Sequence, residues 1–336
     1  MGRAADTRFV AGLLGTVSRR RLTTLAALAT LVACLGLPGT ASASEKLTDN
    51  AANIQLQVDA KGHAVVSYSR AGRRWHAVVW GAMNARQPSQ SVPQVSFRVD
   101  YSGGFKKLGY PLWKTIKNRC KPYDGPQLPW FIKACKAPDG SYWALQQFKR
   151  LLPNLGIDPW LPRHRARELH ISHWTGDIAQ LDVYADWVMS FRYHELFGRL
   201  TYKGNPVYGF KSTSSGAPLD GYGRLIYLDT YNSRLGDGWK RENSFLARRT
   251  GTQGHFCYHF LQRERYAGYP AGPPRPPGNG ERYRLTAGGP GVTPLVMTTV
   301  DGLPDYDVDP DADRIEAAMN PLKTTVVGDD PGCFTN

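Results

Sequence analysis

No sequence repeat of fixed period runs through the 336 residues, which excludes solenoid and propeller arrays. No long stretch shows the apolar spacing of an amphipathic helix, so helices do not organise the fold. There is no Gly-x-Ser-x-Gly elbow, the turn that exposes the nucleophile of an α/β-hydrolase. No nucleic-acid recognition motif is present either. The one uncharged apolar run, residues 22–37, is too short and too rich in small residues for a membrane span, and none is expected in the mature chain. Cysteine is scarce, with five in the whole chain.

The apolar run has another reading. Arg19, Arg20 and Arg21 precede it, Pro38 and Gly39 break it, and Ala41-Ser42-Ala43 follows as a small-x-small cleavage site. This is the three-part pattern of a bacterial secretory signal, and Ser18-Arg19-Arg20-Arg21-Leu22 resembles a twin-arginine signal. Cleavage after Ala43 gives a mature chain of residues 44–336. The rival is lipid anchoring at Cys34, since Leu31-Val32-Ala33-Cys34 resembles a lipobox. Both place the protein outside the cytoplasm, secreted or associated with the cell envelope.

Removing the signal leaves Cys120, Cys135, Cys257 and Cys333. An even count in an exported chain reads as two disulfides. Of the three possible connectivities, Cys120–Cys135 and Cys257–Cys333 are favoured. The first closes a short loop, worth about 3 kcal/mol in the chain-entropy account. The second pins the C-terminal tail.

Charge is unevenly distributed. Residues 1–43 hold five bases and one acid, so the mature chain keeps +10 of the full +14. Residues 301–336 hold nine acids and two bases, a net of −7, which leaves +17 on residues 44–300. A basic body outside the cell suits an anionic partner: cell-wall polymer, acidic polysaccharide, anionic lipid or extracellular nucleic acid. The alternative is a solvated surface kept soluble by its charge.

Short runs of period-two alternation separated by Gly/Pro turns predict an all-β chain. The expected fold is a sandwich or distorted barrel of many short antiparallel strands, with long Pro/Gly-rich loops and few short helices. Residues 54–80 read as a meander, residues 130–148 as a hairpin across Pro138-Asp139-Gly140, and residues 224–231 as the most strand-like segment. Residues 185–195 read as a short helix. The expected organisation is one sandwich-like domain over 44–300, then an acidic tail over 301–336 with a short helix near 313–319.

The densest stretch is 168–260, and each polar cluster in or after it has a competing structural reading. His255-x-Cys257-x-His259 places three metal-capable side chains on one strand face. Phe256, Tyr258 and Phe260 would then bury the other, and an oxidised Cys257 argues for a disulfide anchor over zinc. Asp305, Asp307, Asp309, Asp311, Asp313 and Glu316 match the ligand spacing of a calcium-binding EF-hand loop. Pro310 stands where that loop needs Gly, so a looser calcium site or a solvated linker competes. No other cofactor is called for. His170, Ser172, His173 and Asp177 are close in sequence, but His170 and Ser172 share a strand face opposite His173, so they do not converge from one strand. Asp182, Asp186, Glu195, Asp229 and Glu242 are acids near aromatic residues, without a sign of which pair would face across a glycosidase cleft.

Trp113, Trp160, Trp174 and Trp239 lie at turns or beside Gly and Pro, where exposed rings could stack on sugar faces. The leading functional expectation is a non-catalytic extracellular or envelope module that binds anionic glycan or cell-wall polymer. The alternatives are a secreted carbohydrate-active hydrolase and a structural envelope protein without a small ligand.

Overall fold

The structure, a computed structural model, describes residues 44–87, 92–150, 166–207, 209–212, 218–220, 222, 224–233, 236–242, 246–248, 254–260, 279–331 and 333–334. The chain is all-β, and its four larger sheets form two face-to-face pairs.

The first pair uses β1 (Glu45–Asp49), β2 (Ala52–Val58), β3 (Ala64–Arg70), β4 (Arg73–Trp80), β5 (Arg98–Asp100), β6 (Phe131–Lys136), β7 (Tyr142–Lys149) and β8 (Arg167–Trp174). One sheet has the order β2-β3-β4-β5, the other β1-β8-β7-β6, all antiparallel. The meander forms because its turns are chemically fixed. Asp59 Oδ1 accepts from the Lys61 and His63 N–H groups, and Gly62 takes φ 78°. Alternation then sends Leu56, Val58, Val66, Ala77 and Val79 inward to meet Trp143, Leu145, Leu169 and Ile171 of the facing sheet. Two short helices, α1 (Phe105–Leu108) and α2 (Leu112–Thr115), cover the outer face of β3 and β4 at Val65 and Val78.

The second pair uses β9 (Gln180–Val188), β10 (Tyr193–Tyr202), β11 (Asn205–Pro206), β14 (Tyr227–Ser233), β15 (Gly236–Glu242), β16 (Leu246–Arg248), β17 (His255–His259), β18 (Arg282–Gly288) and β19 (Leu295–Asp301). One sheet runs β11-β10-β17-β16 with β9 on β10, and the other runs β15-β14-β18-β19. Leu181, Val183, Leu196, Leu200, Phe256 and Tyr258 of the first pack on Leu228, Tyr283, Leu285 and Val296 of the second. The small β12 (Lys211–Ser212) and β13 (Pro218–Leu219) form a two-stranded sheet. The chain ends with α3 (Ala312–Val327). No helix among the described residues is long and apolar enough to cross a membrane.

Two expectations are corrected. Residues 185–195 are not a helix. They are the end of β9 and the start of β10, joined by a turn in which Met189, Ser190 and Phe191 take φ of 53°, 55° and 60°. The helical look came from polar residues on both faces: Asp186 and Glu195 are buried on the face that α3 covers, and His194 on the other. The turn at Thr175-Gly176-Asp177 passes the chain from β8 of the first sheet pair to β9 of the second. The tail helix spans 16 residues, well beyond 313–319, and continues through Pro321.

Candidate functional site

Residues 101–121 carry Lys106, Lys107, Lys114, Lys117, Arg119 and Lys121, with no acid between Asp100 and Asp124. Asp100 starts this segment. Its Oδ1 accepts from the Ser102 N–H at 2.8 Å and its Oδ2 from the Lys107 N–H at 2.9 Å. Burial alone would raise the Asp100 carboxyl, but these bonds outweigh it and hold the group below its usual value. Gly103 takes φ 73° against the Trp113 ring, where a Cβ would lie 2.4 Å from the indole, so no other residue fits there.

Leu112 buries itself against Val65 and Val78. That anchor turns Trp113 outward, onto His76, with centroids 3.9 Å apart and planes within 6°. His76 is fixed in turn by Ser67 Oγ at 2.7 Å, and burial and the Arg74 charge lower its pKa. At the far end, the Arg119 N–H donates to the Val58 carbonyl at 2.7 Å, and Cys120–Cys135 ties the segment to β6. Tyr101, Phe105, Tyr110 and Trp113 remain 48, 65, 42 and 36 % exposed. All six bases are exposed, and none has an acidic ion-pair partner among the described residues. The result is a pinned surface segment that displays unpaired cations among exposed rings.

The other tryptophan candidates fare differently. Trp174 is a correction: it is fully buried, in contact with Tyr123 and Tyr142 and clustered with Leu128 and Ala144, so it offers no ring face to a ligand. Trp239 is half-buried on β15, and the Arg284 guanidinium lies 4.3 Å from its ring centroid. Trp160 lies outside the described residues.

The strand geometry of β17 is as expected. Phe256 and Tyr258 enter the sandwich core, while His255, Cys257 and His259 share the opposite face. That face is covered by the tail, and each residue on it holds the tail in place. His255 Nε2 pairs with Asp330 at 3.2 Å, Cys257 is bonded to Cys333, and His259 Nε2 contacts Glu195, which pairs with Lys323 of α3. Both disulfides are those expected.

Asp186 and Glu195 are direct cross-strand partners on β9 and β10. Lys323 reaches both, and all three are buried, so these acids line no open cleft. Asp182 pairs with exposed Arg199, and Asp229 with Arg241 and Arg284. On β8, His173 bonds the Ala82 carbonyl and Ser141 Oγ from the face opposite His170. Burial lowers its pKa to about 4.

The acids of the tail window act locally. Asp305 Oδ1 accepts from the Asp307 N–H and Asp309 Oδ1 from the Asp311 N–H, while Asp311 pairs with Arg314 and Asp313 accepts from Tyr306. Glu316 accepts from the Asn320 amide one turn along α3. Among the described residues, no three His, Cys, Asp or Glu side chains converge as a metal-binding set. Asp305 and Asp307 instead border a groove of about 520 Å³, with Trp187, Phe191, Arg192, His194 and Glu281 on its other walls. Tyr306 stacks on Phe191 with centroids 3.8 Å apart, so much of the groove's aromatic surface is used internally.

Comparison with known proteins gave no match among family models, curated proteins or solved structures.

Proposed function

We propose that this chain is an exported cell-envelope module that binds an anionic glycan or cell-wall polymer through the face built by residues 101–121. The observation that carries this reading is the coincidence, on one pinned segment, of six bases without acidic partners among the described residues and four exposed aromatic rings. Unpaired lysines attract a polyanion at long range, and exposed rings stack on sugar faces at contact. Export after cleavage at Ala43 fits the two disulfides, which persist in oxidising compartments.

The test is retention of residues 44–336 on teichoic-acid-bearing cell walls and on an acidic polysaccharide resin over a salt series. The mature protein should be retained at low salt and released as salt rises. Lys106→Gln/Lys107→Gln/Lys114→Gln should weaken retention by about tenfold or more, since each lost contact to a polyanion is worth up to roughly 1 kcal/mol. Trp113→Ala should weaken binding to the polysaccharide at all salt concentrations. Equal retention of wild type and the triple variant on both supports would rule the reading out.

A further inference from the structure

Three serine–histidine hydrogen bonds occur among the described residues: Ser67–His76, Ser141–His173 and Ser44–His170. They are chemically unequal. His76 stacks on Trp113 and has no carboxylate partner, and the second nitrogen of His173 is spent on the Ala82 carbonyl. His170 alone of these three has a serine on one nitrogen and a carboxylate on the other. Ser44 Oγ lies 3.0 Å from His170 Nδ1, and Glu168 Oε2 lies 3.1 Å from His170 Nε2.

The partners settle the proton positions. A carboxylate only accepts, so Nε2 carries the proton and Nδ1 accepts from the Ser44 hydroxyl. Burial would raise Glu168, but hydrogen bonds from His170 and Lys46 and their charges bring it down to about 2, so it is ionised at neutral pH. Ser44, His170 and Glu168 are all buried in the full-length chain, so the hydroxyl is closed to a substrate until residues 1–43 are removed. Its position in the chain adds the decisive point. Ser44 is the residue that cleavage after Ala43 would leave as the N-terminus.

We infer that Ser44 of the processed chain is an acyl-accepting nucleophile, with His170 as its general base, acting on small carboxylic esters. This inference rests on the export reading above and is independent of the polymer-binding face. Ser44 Oγ bonds to the ester carbonyl carbon as its proton passes to His170 Nδ1. The carbon–oxygen bond to the leaving group then breaks, and the departing alkoxide takes that proton, which leaves an acyl-serine. Water attacks the acyl-serine, His170 accepts the water's proton, and Ser44 Oγ leaves with it, which releases the carboxylic acid. Glu168 is a positioning residue: it holds the tautomer and stabilises the imidazolium that forms in each half-reaction.

The experiment uses the exported, processed protein. Intact mass first reports its N-terminal residue. A fluorophosphonate probe and p-nitrophenyl acetate then report reactivity. A chain beginning at Ser44 should take up one probe molecule, mapped to Ser44, and hydrolyse the ester. Ser44→Ala, which keeps a small residue after the cleavage site, and His170→Gln should each lower the rate by about 100-fold or more with unchanged circular dichroism. Glu168→Gln should lower kcat about tenfold with KM little changed, because the imidazole loses the partner that fixes its tautomer while the serine and the substrate site stay in place. A chain that begins at Ser44 but takes no probe, while a known serine hydrolase in the same tube is labelled, overturns the inference. Labelling that survives His170→Gln in a folded protein does the same. A mature chain beginning elsewhere overturns the export step on which the inference stands and leaves the polymer-retention test untouched.

Discussion

Lys323 brings one positive charge to two buried carboxylates, Asp186 and Glu195. Burial pushes Glu195 up to about 8 against the pull of Lys323, and the neighbouring Asp186 charge adds to the rise. Glu195 then stays protonated beside His259, while Lys323 keeps its contact with Asp186 at 2.9 Å. Folded protein therefore binds a proton that the unfolded chain has lost above its ordinary value of 4.5, so Glu195 makes stability fall as pH rises between about 4.5 and 8. Glu195→Gln keeps the neutral shape. Denaturant unfolding should show the variant gaining on wild type as pH rises through that window, and a constant difference across it would contradict the assignment. Lys323→Met tests the other half of the balance, because it leaves Asp186 buried without its cation. It should cost about 3–5 kcal/mol, and Asp186→Asn in the same chain should recover part of the loss. Little of this was legible in the sequence. Asp186 and Glu195 showed as acids near aromatics, but nothing placed Lys323, 128 residues beyond Glu195, between them. Ser44 and His170 are likewise separated by 126 positions, and only strand pairing across β1 and β8 brings them together.

At the scale of elements, alternation was the most readable signal. The period-two pattern of residues 255–260 sorts core face from tail face as β17 does, and the same rule separates His170 from His173 on β8. It read most of β9 and β10 and failed at residues 185–195, where both faces of the sheet are covered, one by the facing sheet and one by α3, so buried polar residues on both faces disguised the strand period. The Trp174 expectation rested on its place beside a turn, and nearness to a turn does not imply exposure when Tyr123 and Tyr142 close over the strand end. Gly198 shows how tight the centre of this sheet is. On β10 it is flanked by β9 and β17, and a Cβ there would lie 2.0 Å from the Asp182 carbonyl oxygen and 2.8 Å from the Phe256 ring. Gly198→Ala must push backbone apart, so it should destabilise by about 1–3 kcal/mol or more, measured by denaturant midpoint at unchanged slope. A neutral Gly198→Ala would mean the sheet relaxes at no cost.

At the scale of the whole molecule, the sequence pointed to one sandwich-like body and the structure has two sheet pairs, so what couples them decides whether the chain unfolds as one. Gln146 on β7 is buried at the junction. Its Oε1 accepts from the Leu295 N–H at 3.0 Å, and its Nε2 donates to the Leu295 carbonyl at 3.1 Å and the Pro129 carbonyl at 2.9 Å. The His173 N–H adds a bond to the Val292 carbonyl at 2.9 Å, and Gln94 reaches Tyr222 at 3.1 Å. The amide of Gln146 thus matches both polar groups of one backbone unit in the other sheet pair, a fit that a polar residue in an inward-looking strand betrays only once its partner is in place. Gln146→Ala leaves that buried backbone unit unpaired, and the penalty of about 1–3 kcal/mol falls on the junction rather than on either core. Calorimetry of wild type should show one cooperative transition and the variant two, with hydrogen exchange on β7 and β8 separating from that on β10 and β17. If the variant still melts in a single transition at the wild-type temperature, Gln146 does not couple the two sheet pairs, and the burden passes to the backbone bond between His173 and Val292.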